Sequence, residues 1–218
     1  MLPRRVEAVV FDMDGLLVDS ETMVRDVMRE VSRRREVTLP DEVFLRMVGL
    51  PGAASRSVAV AHFGEAFDYD GWNRDVWALA HERIDAGLPA KAGAAELLDL
   101  LDELEVPRAV ATSSGHATVE RQLRPVGFFH RFQTVVAHGD YSRGKPSPDP
   151  FLVAAERLGV APAACLALED SHNGVRAAHA AGMMTVMVPD LLEANDEMRR
   201  LCLVIASTLH DVRHLMTR

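Results

Sequence analysis

Two pairs of acidic residues stand where a folding chain would be expected to place apolar ones. Asp12 and Asp14 follow directly on the apolar run of residues 8–11, and Glu169 and Asp170 follow on residues 165–168. Alternate residues of an extended backbone share a face, so Asp12 and Asp14 emerge on the same side of the chain. If the two runs are neighbouring strands, up to four carboxylates converge, and burying them together without a cation is severely unfavourable. A hard divalent cation with oxygen ligands resolves that conflict. Magnesium fits best, since it takes a few carboxylates, keeps waters and accepts a phosphate oxygen. Each pair also has a plainer reading: an Asp-Gly turn with solvated carboxylates at Asp14–Gly15, and a helix N-cap at Asp170 or Ser171.

Three further pieces could complete a phosphate site. Gly15 lets the chain turn while its amide and those nearby point at an anion. Thr112, Ser113 and Ser114 close another apolar run, where hydroxyls and amides can hold a phosphoryl oxygen, although "TSSG" is also a common turn. Lys145 is a cation between Gly144 and Pro146, with Pro148 two residues on, so its loop is stiff and its ammonium restricted in reach.

The elements that must position these residues can be read from the hydrophobic pattern. Five short apolar segments end in polar or glycine-containing clusters, at 8–12, 108–114, 134–140, 165–171 and 185–190. Runs apolar on consecutive residues suit strands covered on both faces, as in a parallel sheet. Helix-period segments lie between them. In "AAELLDLLDELEV" Leu97, Leu100, Leu101 and Leu104 share a face opposite Asp99, Asp102 and Glu103, and Pro107 ends the pattern. In "DPFLVAAERLG" Phe151, Ala154, Ala155 and Leu158 face inward, with Gly159 as the C-terminal cap. Alternating strands and helices imply an α/β fold: a doubly wound parallel sheet, Rossmann-like, whose site lies at the carboxyl ends of the strands. Residues 20–88 break the alternation with helical patterns only. They are expected to form an inserted α-helical cap, against a core of residues 1–19 and 89–218, with Trp72 and Trp77 in the cap interior.

Composition narrows the partners. With 218 residues, 48% of them hydrophobic, the chain can bury a sizeable core. A net charge of −8 argues against nucleic-acid or anionic-membrane surfaces, which recruit Lys and Arg. Cys165 and Cys202 have neither CxxC nor zinc-finger spacing and read as free thiols. No stretch has the length or continuity of a signal core or a membrane span, so a cytoplasmic protein is expected, and a monomer.

The set "DMDG", "TSS", the lysine of "GKPSPDPF" and "EDSHNG", followed by "AAHAAGM" and "TVMVP", resembles in order the haloacid dehalogenase superfamily. The likeness is to its branch with a helical cap, of the β-phosphoglucomutase and phosphoglycolate phosphatase types. It implies a Rossmann-like core with a mobile cap and assigns roles. Asp12 would be the nucleophile, forming an aspartyl-phosphate. Asp14 would be the general acid and then base. Thr112 and the Ser113 amide would hold the phosphoryl group, and Lys145 would orient Asp12 and neutralise charge. Mg²⁺ would be ligated by Asp12, the Asp14 carbonyl and Asp170, with Glu169 direct or through water. The loop from Val48 to Arg56 resembles the family's substrate-contacting cap segment, which makes Arg56 a possible partner for a second anionic group.

The activity so implied is Mg²⁺-dependent hydrolysis of a small phosphomonoester. A phosphomutase shares the core motifs, but Val24 stands where those relatives carry a cap histidine. A catalytically silent phosphometabolite binder is the remaining alternative, though both nucleophile and lysine are present. No GxxxxGK[ST], GxGxxG or GxSxG motif supports nucleotide-loop or serine-hydrolase chemistry.

Overall fold

A computed structural model describes residues 2–48, 50 and 52–217. In chain order the elements are β1 (Ala8–Phe11), α1 (Ser20–Arg34), α2 (Asp41–Leu45), α3 (Gly52–Phe63), α4 (Tyr69–Asp85), α5 (Ala94–Glu103), β2 (Arg108–Ala111), α6 (His116–Leu123), β3 (Thr134–Val136), α7 (Asp149–Leu158), β4 (Cys165–Glu169), α8 (His172–Ala180), β5 (Met184–Met187), α9 (Asp196–Leu201), β6 (Val204–Ile205) and α10 (Leu209–Met216). All six strands are parallel in the order β3-β2-β1-β4-β5-β6. This is an α/β, Rossmann-like doubly wound sheet. From β1 the chain builds outward through β2 to β3 on one side, then crosses back to β4 on the other side of β1, so the crevice at the switch point lies above the carboxyl ends of β2, β1 and β4.

Every residue of β1, β2, β4 and β5 is buried, as expected for strands covered on both faces. Helix α5 buries Leu97, Leu98, Leu100 and Leu101, each worth roughly 1.5–3 kcal/mol in removed apolar surface. Leu104, expected on that face, is 49% exposed, because the helix ends at Glu103 and Glu105 turns the chain at φ +52°. The turn thus comes before Pro107. Helix α7 buries Phe151, Ala154 and Ala155 and stops at Gly159, as its pattern indicated. Strand β6 was not anticipated: two residues are too few to show any periodicity.

The chain divides into two compact units, Met1–Asp19 with Leu88–Arg218, and Ser20–Gly87. Leu88 falls on the other side of the joint from the one expected, since α4 stops at Asp85 with Ala86 as its cap. Within the first unit the two passages of chain next to the inserted segment run side by side. Val18 bridges Ala90, the Asp19 amide donates to the Pro89 carbonyl at 3.0 Å, and the Lys91 amide to that of Leu17 at 3.0 Å. The second unit is helical. Its interior holds Trp72, whose Nε1 donates to the buried Ser32 Oγ across α1 and α4 at 3.0 Å. Trp77 is 49% exposed, five residues on and so turned to the opposite side of α4. Both cysteines are free. Among the described residues no helix is long and apolar enough to cross a membrane.

Candidate active site

Strand order and register bring the first-unit candidates together. Phe11 pairs with Val110 on one side and Leu168 on the other, so the residues that follow, Asp12, Ala111–Thr112 and Glu169–Asp170, arrive at one level. The Asp12 amide extends the ladder to the Leu168 carbonyl at 2.9 Å, and the Thr112 amide to that of Val136 at 3.0 Å. The carboxylates of Asp12, Glu169 and Asp170 are buried, and one oxygen of each lies within 4.8 Å of the others.

Lys145 is inserted among them. Its ammonium donates to Asp12 Oδ1 and to Glu169 Oε1, the latter at 2.5 Å, and lies 5.2 Å from the centre of the Phe151 ring. The lysine, Asp12 and Glu169 side chains are only 6%, 9% and 0% exposed. Burial pushes the Asp12 carboxyl well above the usual carboxylate range; Lys145 pulls it back, while Glu169 and Asp14 push it higher. Burial lowers Lys145, but the charges of Asp12 and Glu169 outweigh this and hold it above the ordinary lysine value. One ammonium against three carboxylates leaves two negative charges uncompensated. An all-oxygen, excess-negative, buried donor set fits a divalent cation such as Mg²⁺.

Glu169 owes its place to the start of α8. Its Oε2 accepts from the amides of Asp170 and Ser171 at 3.2 Å each and from Ser171 Oγ at 3.0 Å. Ser171 in turn caps α8, its Oγ accepting from the Gly174 amide at 3.1 Å. The cap reading of this segment and the acid cluster therefore hold together. A Cβ on Gly174 would overlap the Glu169 carboxylate, so only glycine lets the first turn of α8 close over it. The sequence reading gave Gly174 no role. Its signal was a glycine in a helix's first turn, five residues after a buried acid.

Asp14 is served by different partners. Ser114 Oγ donates to its Oδ2 at 2.8 Å and Thr112 Oγ1 at 3.4 Å, while Thr112 Oγ1 accepts from the Ser114 amide at 3.0 Å. Two carboxylates two residues apart thus meet distinct environments, Asp12 with an ammonium and Asp14 with hydroxyls. Ser113 is exposed at the end of β2. The Tyr141 hydroxyl donates to the Thr112 carbonyl at 3.1 Å, a support for this loop that sequence reasoning missed because Tyr141 belongs to no motif.

Two expectations change. The Gly15 amide donates to the Val18 carbonyl at 3.1 Å and is spent within its own turn rather than aimed at an anion. Gly15 is required for its φ of +77° and for the close approach of Asp170 and Asp190. Arg56, in the second unit, is ion-paired to Asp70 with its guanidinium 4.9 Å from the centre of the Tyr69 ring. Of the segment Val48–Arg56, residues 49 and 51 lie outside the described ones. The ring of His172, beside the acid pair in sequence, meets the Glu193 carbonyl at 2.9 Å.

Comparison with known proteins agrees with this arrangement. A model of haloacid dehalogenase-like hydrolases matches residues 6–182. A probable pseudouridine-5'-phosphatase of Drosophila melanogaster is 35% identical over 94% of this chain and 90% of its own. A fructose-1-phosphate phosphatase of Escherichia coli is 34% identical over 84% of this chain and 97% of its own. Among solved structures, a haloacid dehalogenase family hydrolase of Deinococcus radiodurans with bound phosphate and sodium superposes with a TM-score of 0.83 at 26% identity, covering 97% and 95% of the two chains. By motif order, sheet topology and similarity over nearly its whole length, the chain belongs to the haloacid dehalogenase-like hydrolases.

Proposed function

We propose that this hydrolase is a phosphatase that cleaves a small phosphomonoester, a sugar phosphate or similar metabolite, with Mg²⁺ and through an aspartyl-phosphate. The observation that carries the reading is Lys145 held between the buried carboxylates of Asp12 and Glu169. The relatives named above act, by their names, on phosphate esters of small sugar-containing molecules.

With Lys145 on Oδ1 of Asp12, the Oδ2 oxygen is the nucleophile: it forms a bond to phosphorus as the ester bond to the leaving oxygen breaks. Asp14 gives a proton to that leaving oxygen. It then takes one from the water that attacks phosphorus and frees Asp12 as phosphate departs. The hydroxyls of Ser114 and Thr112 hold Asp14 until then. Thr112 and the Ser113 amide bind phosphoryl oxygens, and the Lys145 ammonium offsets the charge that gathers in the transition state. Asp12, Glu169, Asp170 and the Asp14 carbonyl would hold the divalent cation, with Glu169 direct or through water. When bound, it would neutralise the excess carboxylate charge and polarise the phosphoryl group.

Substrate choice would lie in the helical insert. Arg56 could reach a second anionic group only by exchanging Asp70, a small cost because the ion pair is exposed to solvent. The mutase alternative has no corresponding observation: Val24 offers no group that moves a proton. We keep with the proposal the cytoplasmic location and monomeric state expected from the sequence, which fractionation and sedimentation would check.

A panel of small phosphate esters assayed with Mg²⁺, with EDTA and with Asp12→Asn tests the mechanism. Phosphate release should require both the cation and Asp12. Release that survives EDTA or the substitution would refute it, and a hexose 1-phosphate converted to the 6-phosphate without free phosphate would establish the mutase instead.

A further inference from the structure

A fourth acid, half-buried as a residue, stands beside the cluster and takes no part in it. Asp190 follows β5, and its side chain is only 10% exposed. Its Oδ1 accepts from the Lys91 ammonium at 2.7 Å. Its Oδ2 is buried and meets no hydrogen-bond donor among the described residues. Gly15 shows where that oxygen points. A Cβ built on Gly15 would lie 2.5 Å from Asp170 Oδ2 and 3.2 Å from Asp190 Oδ2, so both carboxylates turn an oxygen toward the same spot.

A buried carboxylate oxygen without a donor, facing a second carboxylate, is unfavourable twice over: it has lost its water, and its neighbour repels it. The arrangement becomes reasonable if a donor enters from the side of Asp170. We propose that Asp190 is an outer member of the cation site, its Oδ2 accepting a hydrogen bond from a water carried by the divalent ion that Asp170 helps to hold. Lys91 occupies Oδ1 and leaves Oδ2 as the oxygen available for this. Mg²⁺ usually keeps several of its waters, which are strong donors and need acceptors when the ion is buried. Asp190 is thereby a positioning residue, acting on the cation's hydration rather than touching substrate. The inference rests on the cation reading given under the proposed function.

A competing account makes Asp190 only the partner of Lys91, which also lies 3.7 Å from Asp19 Oδ1 beside the bridged Val18 and Ala90. Titration with Mn²⁺, free ion read by electron paramagnetic resonance and no substrate present, separates the two. Asp190→Asn preserves shape and an acceptor for Lys91; it should weaken Mn²⁺ binding roughly 10–100-fold, the usual effect of losing an outer partner. Lys91→Met removes a nearby positive charge and keeps both acids, so it should bind Mn²⁺ at least as tightly as the wild type. Should Asp190→Asn fail to fold, Asp190→Ser is read in the same way. Unchanged Mn²⁺ affinity in the Asp190 variant, or equal weakening in Lys91→Met, overturns the inference while leaving the cation site standing. A wild-type protein that binds no Mn²⁺ or Mg²⁺ overturns the cation reading itself, and the role of Asp190 with it.

Discussion

Replacing Lys145 by Met should show what the buried acids cost without their cation. The substitution keeps the length and apolar stem of the side chain and its place near Phe151, and removes only the charge and its bonds to Asp12 and Glu169. All three side chains are almost fully buried, so the relevant magnitude is that of breaking a buried pair from one side, about 3–5 kcal/mol. For a chain of this size about 1 kcal/mol moves Tm by roughly 2–4 °C, so a fall of roughly 6–20 °C is expected near neutral pH in EDTA. The loss should depend on pH with a definite sign. Burial already raises the Asp12 carboxyl in the folded state, and without Lys145 it must rise further. A group whose folded pKa lies above its unfolded one stabilises below the unfolded value and loses that contribution as pH climbs. The gap between wild type and variant should therefore be small near pH 4–5 and widen toward pH 8. Saturating Mg²⁺ should raise the melting temperature of the variant as well as that of the wild type, since ligand at about a hundred times its Kd contributes about 2.7 kcal/mol. Differential scanning calorimetry over this pH range, with and without Mg²⁺, is the assay. A variant that melts with the wild type at neutral pH in EDTA, or a gap that narrows as pH rises, would refute the electrostatic argument.

Other substitutions test other parts. Ser114→Ala removes the 2.8 Å hydrogen bond to Asp14, and at about 1.5–3 kcal/mol for a bond to a charged group it should lower kcat roughly 10–100-fold while leaving metal affinity unchanged in titration. Gly174→Ala forces a methyl against the Glu169 carboxylate; chemical denaturation should show a loss of about 1–3 kcal/mol, and Mn²⁺ titration a weaker site. Asp140 tests pH dependence away from the site. Burial works against its charge, but Arg157, the Ala137 amide and His116 hold its carboxyl at about 2. A depressed pKa stabilises above the unfolded value of about 3.9 and is lost as pH falls. Asp140→Asn should thus melt below the wild type at neutral pH, with the difference closing as pH approaches 2; a difference that grows on acidification would contradict it.

Much of the architecture was legible because local signals were strong. Buried strands announce themselves as largely apolar runs, and β1, β2, β4 and β5 are buried at every residue. Where signals were weak or depended on a neighbour, the reading went astray. Leu104 fits a helical stripe, but the chain had already turned at Glu105. Trp77 has a core composition and an exposed position, because α4 had one inner face and Trp72 took it. Strand β6 consists of two residues and exists only because β5 offers it an edge.

The sequence alone singled out the candidate residues for the proposed chemistry: two aspartates after β1, an acid pair after β4, hydroxyls after β2 and a lysine in a stiff loop, in an order that few alternatives share. It could not decide how those groups divide the work. That Lys145 bridges Asp12 and Glu169, that Ser114 donates to Asp14, and that Asp190 turns toward Asp170 an oxygen with no donor among the described residues follow from strand order and register, whereas the Gly15 amide is spent locally on Val18. Residues 24 to 133 positions apart in the chain become hydrogen-bonded neighbours only when the sheet is assembled. Hydrogen bonds and charge act over ångströms of space, whatever the distance along the sequence.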